Sequence, residues 1–470
     1  MPGVNVVTAT RTGRSAPVLA PSGQLFIAGL ASQGDITQPI LCNSLSDFET
    51  MFGLKTSYST LHDVVQSYFE EGGTQAWVVR AFSGTATYGA YSLLDGSAGV
   101  SLIATAKWVG AYSANISITV SYSAPTTTVT ISLSGVTVET FTGISQATLL
   151  AAMQLSAYVT VVAGGSSLVP APVTASLTAG ADGYAGATAT NYLTAINLCD
   201  KSLGDGSVAI PGVGTTVHAG LIAHATANNR IALLDMPQAS LITDLTTQSA
   251  LLNSEFAGLF APWVNITTVS GTYAIPPVGY IAAVRNRAIE QVGNFRAAAG
   301  EISVARFVVG VATSYNRANG DLLDANKVNA IRIINNTVRN YGWRSLSTDT
   351  ANYSLLTGRD VLNRVVTQCN AELEQFVFRT IDSSGHLLSK INSVLTGVIE
   401  PMRQAGGLFA LFDGNNKQID PGYLVETGNN INTLASLNTN TVKAKLSLRI
   451  APTAALVSVT IIKVGLISGL

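Results

Sequence analysis

Histidine side chains could supply a general base or a metal ligand, and this chain holds four of them, His62, His218, His224 and His386. Only His218 and His224 lie close in sequence. They are six positions apart, whereas paired ligands on one helix face lie about three or four positions apart. The spacing therefore predicts no metal site.

Cysteine thiols could act as nucleophiles, disulfide partners or zinc ligands. Cys42, Cys199 and Cys369 are odd in number and far apart, a pattern that predicts neither a disulfide framework nor a zinc site. We expect three reduced, structural thiols. The chain also lacks a G-x-S-x-G nucleophile elbow, a P-loop and a zincin motif.

Two Gly-x-Gly doublets could cradle a phosphate. Gly204–Gly206 and Gly212–Gly214 each lie near an apolar run. Each lacks the third glycine and the following acidic residue of a dinucleotide-binding fingerprint, so tight turns are the better interpretation. We expect no cofactor, no catalytic residue and no enzymatic activity.

Paired carboxylates could share acid and base roles. Asp321 with Asp324, and Glu372 with Glu374, are typical of helix starts and solvated helix faces. Glu70–Glu71 falls at a predicted helix C-terminus, where acidic groups are mildly unfavourable. We interpret it as a tolerated surface feature, with a basic partner on another subunit as the alternative.

The composition favours a protein that assembles. Of the 470 residues only 11% are charged and 47% are hydrophobic, and charge is depleted at the centres of protein interfaces. A surface rich in Ser, Thr, Asn and Gly is the other interpretation. No apolar run is long enough to span a membrane, and a net charge of −1 without a basic cluster predicts no direct contact with nucleic acid.

Alternating helices and apolar runs predict an α/β core. Between positions 46 and 80, Ser59 or Thr60 can cap a helix that Gly72–Gly73 ends, and Ala76–Val79 then forms a buried strand. Farther along, strand, helix and strand follow one another over positions 208–236, which predicts a parallel βαβ unit.

A β-rich segment separates these two parts of the core. Positions 92–180 carry three charged residues, Asp95, Lys107 and Glu139, and show period-two alternation in four short runs. The predicted strands cover 116–122, 129–133, 136–141 and 158–162, with a helix at Gln146–Gln154.

The C-terminal part is helical and then strand-like. Apolar stripes predict helices at Arg359–Phe378 and His386–Gln404, the second kinked or restarted at Pro401. Strands are predicted at Val442–Ile450 and Leu456–Val464. The last run could be a core strand, a weak membrane anchor or a strand exchanged with a neighbouring subunit. Lys463 argues against the anchor.

An ordered series of loose motifs resembles the contractile tail sheath proteins of phages and related injection systems. The series comprises FIAGLASQGDITQPI, SDFETMFG with YSTLHDVVQSYFEEGGTQAWVVR, AKWVGAYSANISITV, LTAGADGY, FAGLFAPWVNI with PPVGYIAAVRNRAIEQVGNFRAAAG, LLDANKVNAIRIINNTVRNYGWRSL and RIAPTAALVSVTIIKVG. The chain departs from the usual residues at Val109 (proline), Ala179 (glycine), Phe295 (tryptophan) and Asn335–Asn336 (glycines).

The resemblance implies a mixed α/β and α+β multidomain fold. The α/β core would carry an inserted, outward-facing β-rich domain and a C-terminal inner domain, with exchanged terminal arms. The expected divisions are 1–20 (N-terminal arm), 21–91 (first core part), 92–180 (inserted domain), 181–345 (second core part), 346–446 (inner domain) and 447–470 (C-terminal arm).

The resemblance also implies a function and partners. The chain would polymerise as stacked hexameric rings around a tail tube and contract to drive the tube through an envelope. Its partners would be the tube, baseplate and tail terminator proteins, without membrane insertion. It would belong to the contractile tail of a virion. Because MPGVNVVTATRTGR lacks the apolar core of a signal peptide, we expect assembly in the host cytoplasm.

Particular residues are candidates for the contacts between subunits. The strand candidates are Val4, Val6 and Thr8 in the N-terminal arm, and Leu456, Ser458, Thr460 and Ile462 in the C-terminal arm. Lys390 and Arg403 are candidates for contact with the tube.

Three alternatives stay open. One is the sheath of a phage-derived injection system. Another is a β-rich virion or surface protein, which would not need the predicted α/β units. The third is an α/β enzyme, although its expected constellations of residues are missing.

Overall fold

The computed structural model describes residues 22–269 and 271–455. These residues form two compact units, 22–363 together with 450–455, and 364–449, and the boundary falls within one helix. The strand candidates at 4–8 and 456–462 lie outside the described residues. Among the helices described, none is long and apolar enough to cross a membrane.

The strands are β1 (Leu25–Leu30), β2 (Ile40–Cys42), β3 (Ala76–Ala81), β4 (Ala90–Leu94), β5 (Val100–Ala106), β6 (Ile116–Ser123), β7 (Thr126–Leu133), β8 (Val136–Gly143), β9 (Val159–Ala163), β10 (Val173–Ser176), β11 (Ser207–Ala209), β12 (Ile231–Leu234), β13 (Ala257–Ala261), β14 (Val264–Thr268), β15 (Gly271–Ile275), β16 (Gly310–Val311), β17 (Val328–Ile334), β18 (Thr337–Asn340), β19 (Leu411–Phe412), β20 (Gln418–Asp420), β21 (Tyr423–Glu426) and β22 (Lys445–Leu448).

The helices are α1 (Leu45–Phe52), α2 (Leu61–Glu70), α3 (Gln146–Met153), α4 (Ala189–Ile196), α5 (His218–Asn228), α6 (Ile242–Leu251), α7 (Val278–Gln291), α8 (Arg317–Ala325), α9 (Thr350–Tyr353), α10 (Leu356–Leu373), α11 (His386–Gln404) and α12 (Leu434–Asn438).

An eight-stranded sheet forms the centre of the larger unit, in the order β18-β17-β13-β12-β11-β1-β3-β2. The strands from β17 to β3 run parallel, and β18 and β2 are antiparallel at the edges. The predicted parallel pairing of β11 with β12 is confirmed. Because helices cover both faces of such a sheet, its strands are continuous apolar runs, and all six residues of β1 are buried.

Alternate residues of β1 pack into two cores. Leu25 and Ile27 face a core with side chains of α1, α2 and α7. Phe26 and Ala28 face a second core, lined by α4, α5 and α6. The predicted α/β core is therefore a sheet with helices on both faces.

The predicted boundaries of α2 are confirmed. The hydroxyl of Ser59 accepts a hydrogen bond from the Leu61 amide at 3.2 Å, whereas Thr60 occupies the cap position without a side-chain bond. At the other end Gly72 has a φ of 97°, a left-handed conformation that glycine adopts without strain. A Cβ on Gly73 would lie 2.4 Å from the Tyr68 ring.

The β-rich segment forms two antiparallel sheets, β10-β6-β7-β8 and β4-β5-β9. They enclose a core of their own with Leu149 and Met153 of α3. The four predicted strands and the predicted helix of this segment are confirmed. Asn335 and Asn336 turn between β17 and β18 with φ values of 50° and 57°, as their place in the sequence predicts.

The smaller unit packs α11 against the end of α10 and against β21. Leu387, Ile391 and Leu395 lie in its core. The prediction of α11 is confirmed at both ends. Of the two outcomes expected at Pro401, the restart is wrong, because the helix continues through it, and the kink stays a prediction. The helix predicted at Arg359–Phe378 begins at Leu356 and ends at Leu373, and β22 is shorter than predicted.

Candidate assembly surfaces

The carboxyl ends of β1 and β11 mark the place where an α/β enzyme would bind its ligand, because the strand order reverses between them. Gly212 and Gly214 follow β11 there, with φ values of 73° and 84°. The Gly212 amide donates to the Asp235 carboxylate at 2.8 Å. A Cβ on Gly212 would lie 3.0 Å from the Thr60 hydroxyl. These glycines form tight turns packed by protein, as their spacing predicted.

His218 lies behind this turn, with both ring nitrogens in hydrogen bonds. Its ring is buried, with Nε2 2.8 Å from the Asp235 carbonyl and Nδ1 3.1 Å from the Gln248 amide nitrogen. Nε2 must therefore donate and Nδ1 accept. Burial lowers the pKa of His218, which fits a structural role.

The carboxyl group of Asp235 makes stability depend on pH. Burial raises its pKa to about 7. Between the ordinary value and pH 7 the folded chain binds a proton that the unfolded chain releases, so stability falls as the pH rises. The side chain introduced by Asp235→Asn does not titrate. We therefore expect the free energy of unfolding of the variant, relative to that of wild type, to be about 3 kcal/mol higher at pH 8 than at pH 5.

Urea titrations at the two pH values measure that difference. Asp321→Asn, at an exposed helix position, is the control and should show no comparable change. An Asp235→Asn effect that is the same at pH 5 and pH 8 would contradict the assignment.

His224 belongs to a second buried polar cluster. Its Nε2 accepts from the Arg230 guanidinium at 2.9 Å, and Nδ1 lies 3.0 Å from the Asn197 side-chain oxygen. Burial, with the charge of Arg230, lowers the pKa of His224 to about 4. Arg230 also donates to the carbonyls of Cys199 and Asp200. This cluster holds the chain ahead of β11 in place.

His62 on α2 and Cys42 on β2 are two further candidate side chains. His62 lies 3.0 Å from the Glu49 carboxylate, and Cys42 is buried at the end of β2. Over residues 22–269 and 271–455, no three His, Cys, Asp or Glu side chains are grouped as a metal site.

The interpretation of Glu71 as a tolerated surface residue is wrong. Its side chain is fully buried. The carboxylate accepts hydrogen bonds from the amides of Arg306, Phe307 and Val308 at 2.8–3.0 Å, and Arg287 lies 3.7 Å away. Glu71 thus fixes the chain after the 300–303 turn against α2. Glu70 beside it is exposed.

The β-rich domain joins the core through a polar contact. Arg80, at the end of β3, donates to the carbonyls of Val109 and Asp182 at 2.6 and 3.0 Å. The Asp182 carboxylate accepts from the Tyr58 hydroxyl at 2.8 Å, and Tyr58 stacks on Tyr184 with ring centroids 4.0 Å apart. The segments that enter and leave the domain are therefore both held to the core.

Few charges of that domain are available to a partner. The Asp95 carboxylate accepts from the amides of Ser97 and Gly99, and Glu139 accepts from the Ser156 hydroxyl and the Ala157 amide. Both acidic groups are therefore used within the domain. Its surface offers hydroxyl and apolar groups more than charge.

Within the described residues, the sheets of the smaller unit are two-stranded, so that each strand has an edge facing no other strand. In these sheets β19 pairs with β20, and β21 with β22. Its exposed large apolar side chains are Val377, Phe378, Phe409, Leu411, Phe412, Ile419, Leu424 and Leu434. Unpaired strand edges and exposed apolar groups are features of surfaces that associate with other chains.

The two candidate residues for tube contact differ in their surroundings. Lys390 lines a shallow cleft of about 480 Å³ together with Arg379, His386, Ser389 and others. Arg403 instead pairs with Glu400, its nitrogen atoms lying 2.5–3.0 Å from the carboxylate. Lys390 therefore lies in a cleft with other basic side chains, whereas Arg403 is paired with an acidic residue of its own helix.

Solved structures of known proteins have this fold. The sheath tail protein of Listeria innocua aligns with a TM-score of 0.65 at 15% identity, over 88% of this chain and 90% of that one. The sheath tail protein of Desulfitobacterium hafniense gives a TM-score of 0.58 at 16% identity, over 89% and 93%. This chain has the fold of a contractile tail sheath protein.

The sheath fold extends to injection systems. A chain of the contracted sheath complex of the extracellular contractile injection system PVC aligns with a TM-score of 0.62 at 14% identity, over 98% of this chain and 97% of that one. No protein-family model and no curated protein sequence matches the chain. The expected mixed α/β sheath fold is confirmed, and the likeness lies in structure more than in sequence.

Proposed function

We propose that this chain is a structural subunit of a contractile tail sheath. It would polymerise as stacked hexameric rings around a tail tube and contract to drive the tube through a host envelope. The observation that carries the proposal is the alignment of 98% of the chain with a subunit of a contracted sheath complex. Interfaces that repeat head to tail without closing generate helical assemblies of this kind.

The sleeve would work mechanically. Subunits assemble in an extended arrangement of higher energy, and a baseplate signal releases them into a shorter, wider one by rigid-body repacking. The firmly bonded joint at Arg80 and Asp182 suits domains that move as units. Its site of action is the virion tail, after assembly in the host cytoplasm, and its partners are the tube, baseplate and tail terminator proteins.

The terminal arms would link the subunits. Val4, Val6 and Thr8 on one arm, with Leu456, Ser458, Thr460 and Ile462 on the other, are the proposed exchanged strands. Among the described strands, β21 and β22 pair only with each other, and their outer edges could accept such strands, because an added strand forms main-chain hydrogen bonds at an unpaired edge.

The sheath of an injection system is the second candidate. It is supported by the alignment with the PVC sheath complex. A purely β-rich surface protein fits less well, since the core is an eight-stranded sheet with helices on both faces. An α/β enzyme fits less well because the Gly212 amide at the end of β11, where such an enzyme would bind its ligand, already donates to the Asp235 carboxylate.

High-speed sedimentation of the purified chain over a concentration series tests assembly. We expect a concentration above which added protein enters the pellet, as in a cooperative polymerisation. Protein that stays in the supernatant at all concentrations, with and without tube protein, would contradict the proposal.

The proposed tube contact leads to a charge-reversal test. We expect Lys390→Glu to weaken binding of assembled sleeves to an acidic tube surface by about tenfold or more at low salt, since a repelling charge pair replaces an attracting one. Lys417→Glu, on the exposed turn between β19 and β20, is the control. Co-sedimentation with tube protein measures the binding. If the Lys390→Glu and Lys417→Glu variants bind tube protein equally well, Lys390 does not contribute to the tube contact.

A further inference from the structure

Residue 22 is the first described residue of the core, and both its hydroxyl and its carbonyl are hydrogen-bonded. The Ser22 hydroxyl donates to the Asp205 carboxylate at 2.5 Å and accepts from the Asn294 amide at 2.6 Å. Its carbonyl accepts from the Arg285 guanidinium at 2.7 Å. Ser22 is only 4% exposed, so these bonds lie out of reach of water.

A buried ion pair completes this cluster. Arg285 donates to both oxygens of the Asp360 carboxylate, at 2.9 and 2.5 Å. Burial is the largest single influence and disfavours the charged guanidinium, but the charge and hydrogen bonds of Asp360, together with the Asp205 charge, outweigh it and raise the pKa of Arg285. The Asn294 amide also reaches Asp360 at 3.4 Å. Paired charges with further hydrogen bonds hold a fixed geometry in a buried site.

The next two residues, Gly23 and Gln24, are also closely packed and hydrogen-bonded. A Cβ on Gly23 would lie 1.8 Å from the Asn286 side-chain oxygen, so the backbone runs directly against α7. The Gln24 side chain donates to the carbonyls of Leu203 and Asp205 at 2.7 and 3.1 Å. It also accepts from the Trp77 indole at 3.1 Å.

The chain then continues as a central strand. β1 pairs with β3 over six residues and with β11 over three. The fixed segment therefore connects directly to the middle of the sheet. Segments around positions 205, 285 and 294, which are distant in sequence, meet at residue 22. The segment around position 360 joins them through Arg285 and Asn294.

We propose that Ser22, Asp205, Arg285, Asn294 and Asp360, here called the root cluster, anchor the N-terminal arm to the core. The root cluster distributes tension on the arm among the sheet, α7 and α10. The hydrogen bonds of β1 to its neighbours β11 and β3 therefore do not carry that tension alone. The claim that the arm is under tension rests on the proposed function, in which the arms link subunits. The claim that the root cluster anchors the arm does not depend on that function.

Hydrogen exchange of the unassembled protein tests the anchoring. Ser22→Ala removes one donor and one acceptor, and Asn294→Ala removes the amide that bridges Ser22 and Asp360. We expect the peptide covering 22–30 to exchange about 10–100 times faster in both variants, with the β12 peptide unchanged. Ser123→Ala, at an exposed position on β6, is the control.

Two results would overturn the proposal. One is exchange in the 22–30 peptide within about twofold of wild type in both variants. The other is an equal acceleration in β12, which would make the cluster a general stabiliser of the fold.

Assembled tubes test the passage of tension. Under equal shear, Ser22→Ala tubes should break to less than about half the median length of wild-type tubes, since subunits are linked repeatedly through this point. Equal median lengths of Ser22→Ala and wild-type tubes would contradict a role of the root cluster under tension. The cluster would then only stabilise the single subunit. If wild-type protein forms no tubes, the proposed function fails, while the exchange result still decides the anchoring.

Discussion

We expect deletion of residues 1–10 to abolish the formation of tubes and to leave a folded, soluble subunit. The described fold begins at residue 22, so the deletion removes the proposed linking strand and keeps β1 with its anchoring contacts. About five ladder hydrogen bonds at roughly 0.5–1.5 kcal/mol each give a modest single link. Because a sleeve repeats that link at every subunit, its loss should reduce sedimenting polymer at least about tenfold.

A point substitution separates strand pairing from mere shortening of the arm. Val6→Pro removes an amide donor that a paired strand needs, whereas Val6→Thr keeps the donor and the strand preference. We expect Val6→Pro to behave like the deletion and Val6→Thr like wild type. Tubes of normal yield from the deletion variant would refute the exchange of this strand.

Glu71→Ala gives the largest expected loss of stability from a single side chain. It leaves the buried amides of Arg306, Phe307 and Val308 without their acceptor, and it removes the acidic neighbour of Arg287. Removing one partner from a buried charged network costs about 3–5 kcal/mol. We expect the free energy of unfolding of the larger unit to fall by that amount.

The adjacent residue provides the control for this prediction. Glu70 is exposed at the same helix end, where an acidic group opposes the helix dipole, so Glu70→Ala should change stability by less than about 1 kcal/mol. Tryptophan fluorescence during urea unfolding reports on the larger unit, because all four tryptophans lie within residues 22–363. They are Trp77, Trp108, Trp263 and Trp343. Equal effects of the two substitutions would contradict the buried role of Glu71.

Much of the fold could be predicted because its signals are local. The apolar run around Phe26, the helix between Ser59 and Gly72 and the period-two alternation of β6 are each determined by neighbouring residues. The order of these elements was sufficient for the resemblance to sheath proteins. The extent of α11 was predicted correctly, and the helix continues through Pro401 without a restart, with Leu395 and Ile399 buried along it.

The polar contacts could not be predicted, because their partners are distant in sequence. Glu71 meets amides 235–237 positions away, and Ser22 meets Asn294 across 272 positions. A surface glutamate and one that holds a buried loop look the same in a local pattern. That β21 and β22 pair with no other strand of the described residues likewise appears only when strand pairing is known. The strand candidates at 4–8 and 456–462 stay predictions.

Electron microscopy of the concentrated, purified chain tests the central claim most directly. Negative staining, with tube protein added where spontaneous assembly is slow, should show striated tubes or stacked rings of uniform width with sixfold averages. Monomers that remain inert when tube protein is added would contradict a role as a sheath subunit.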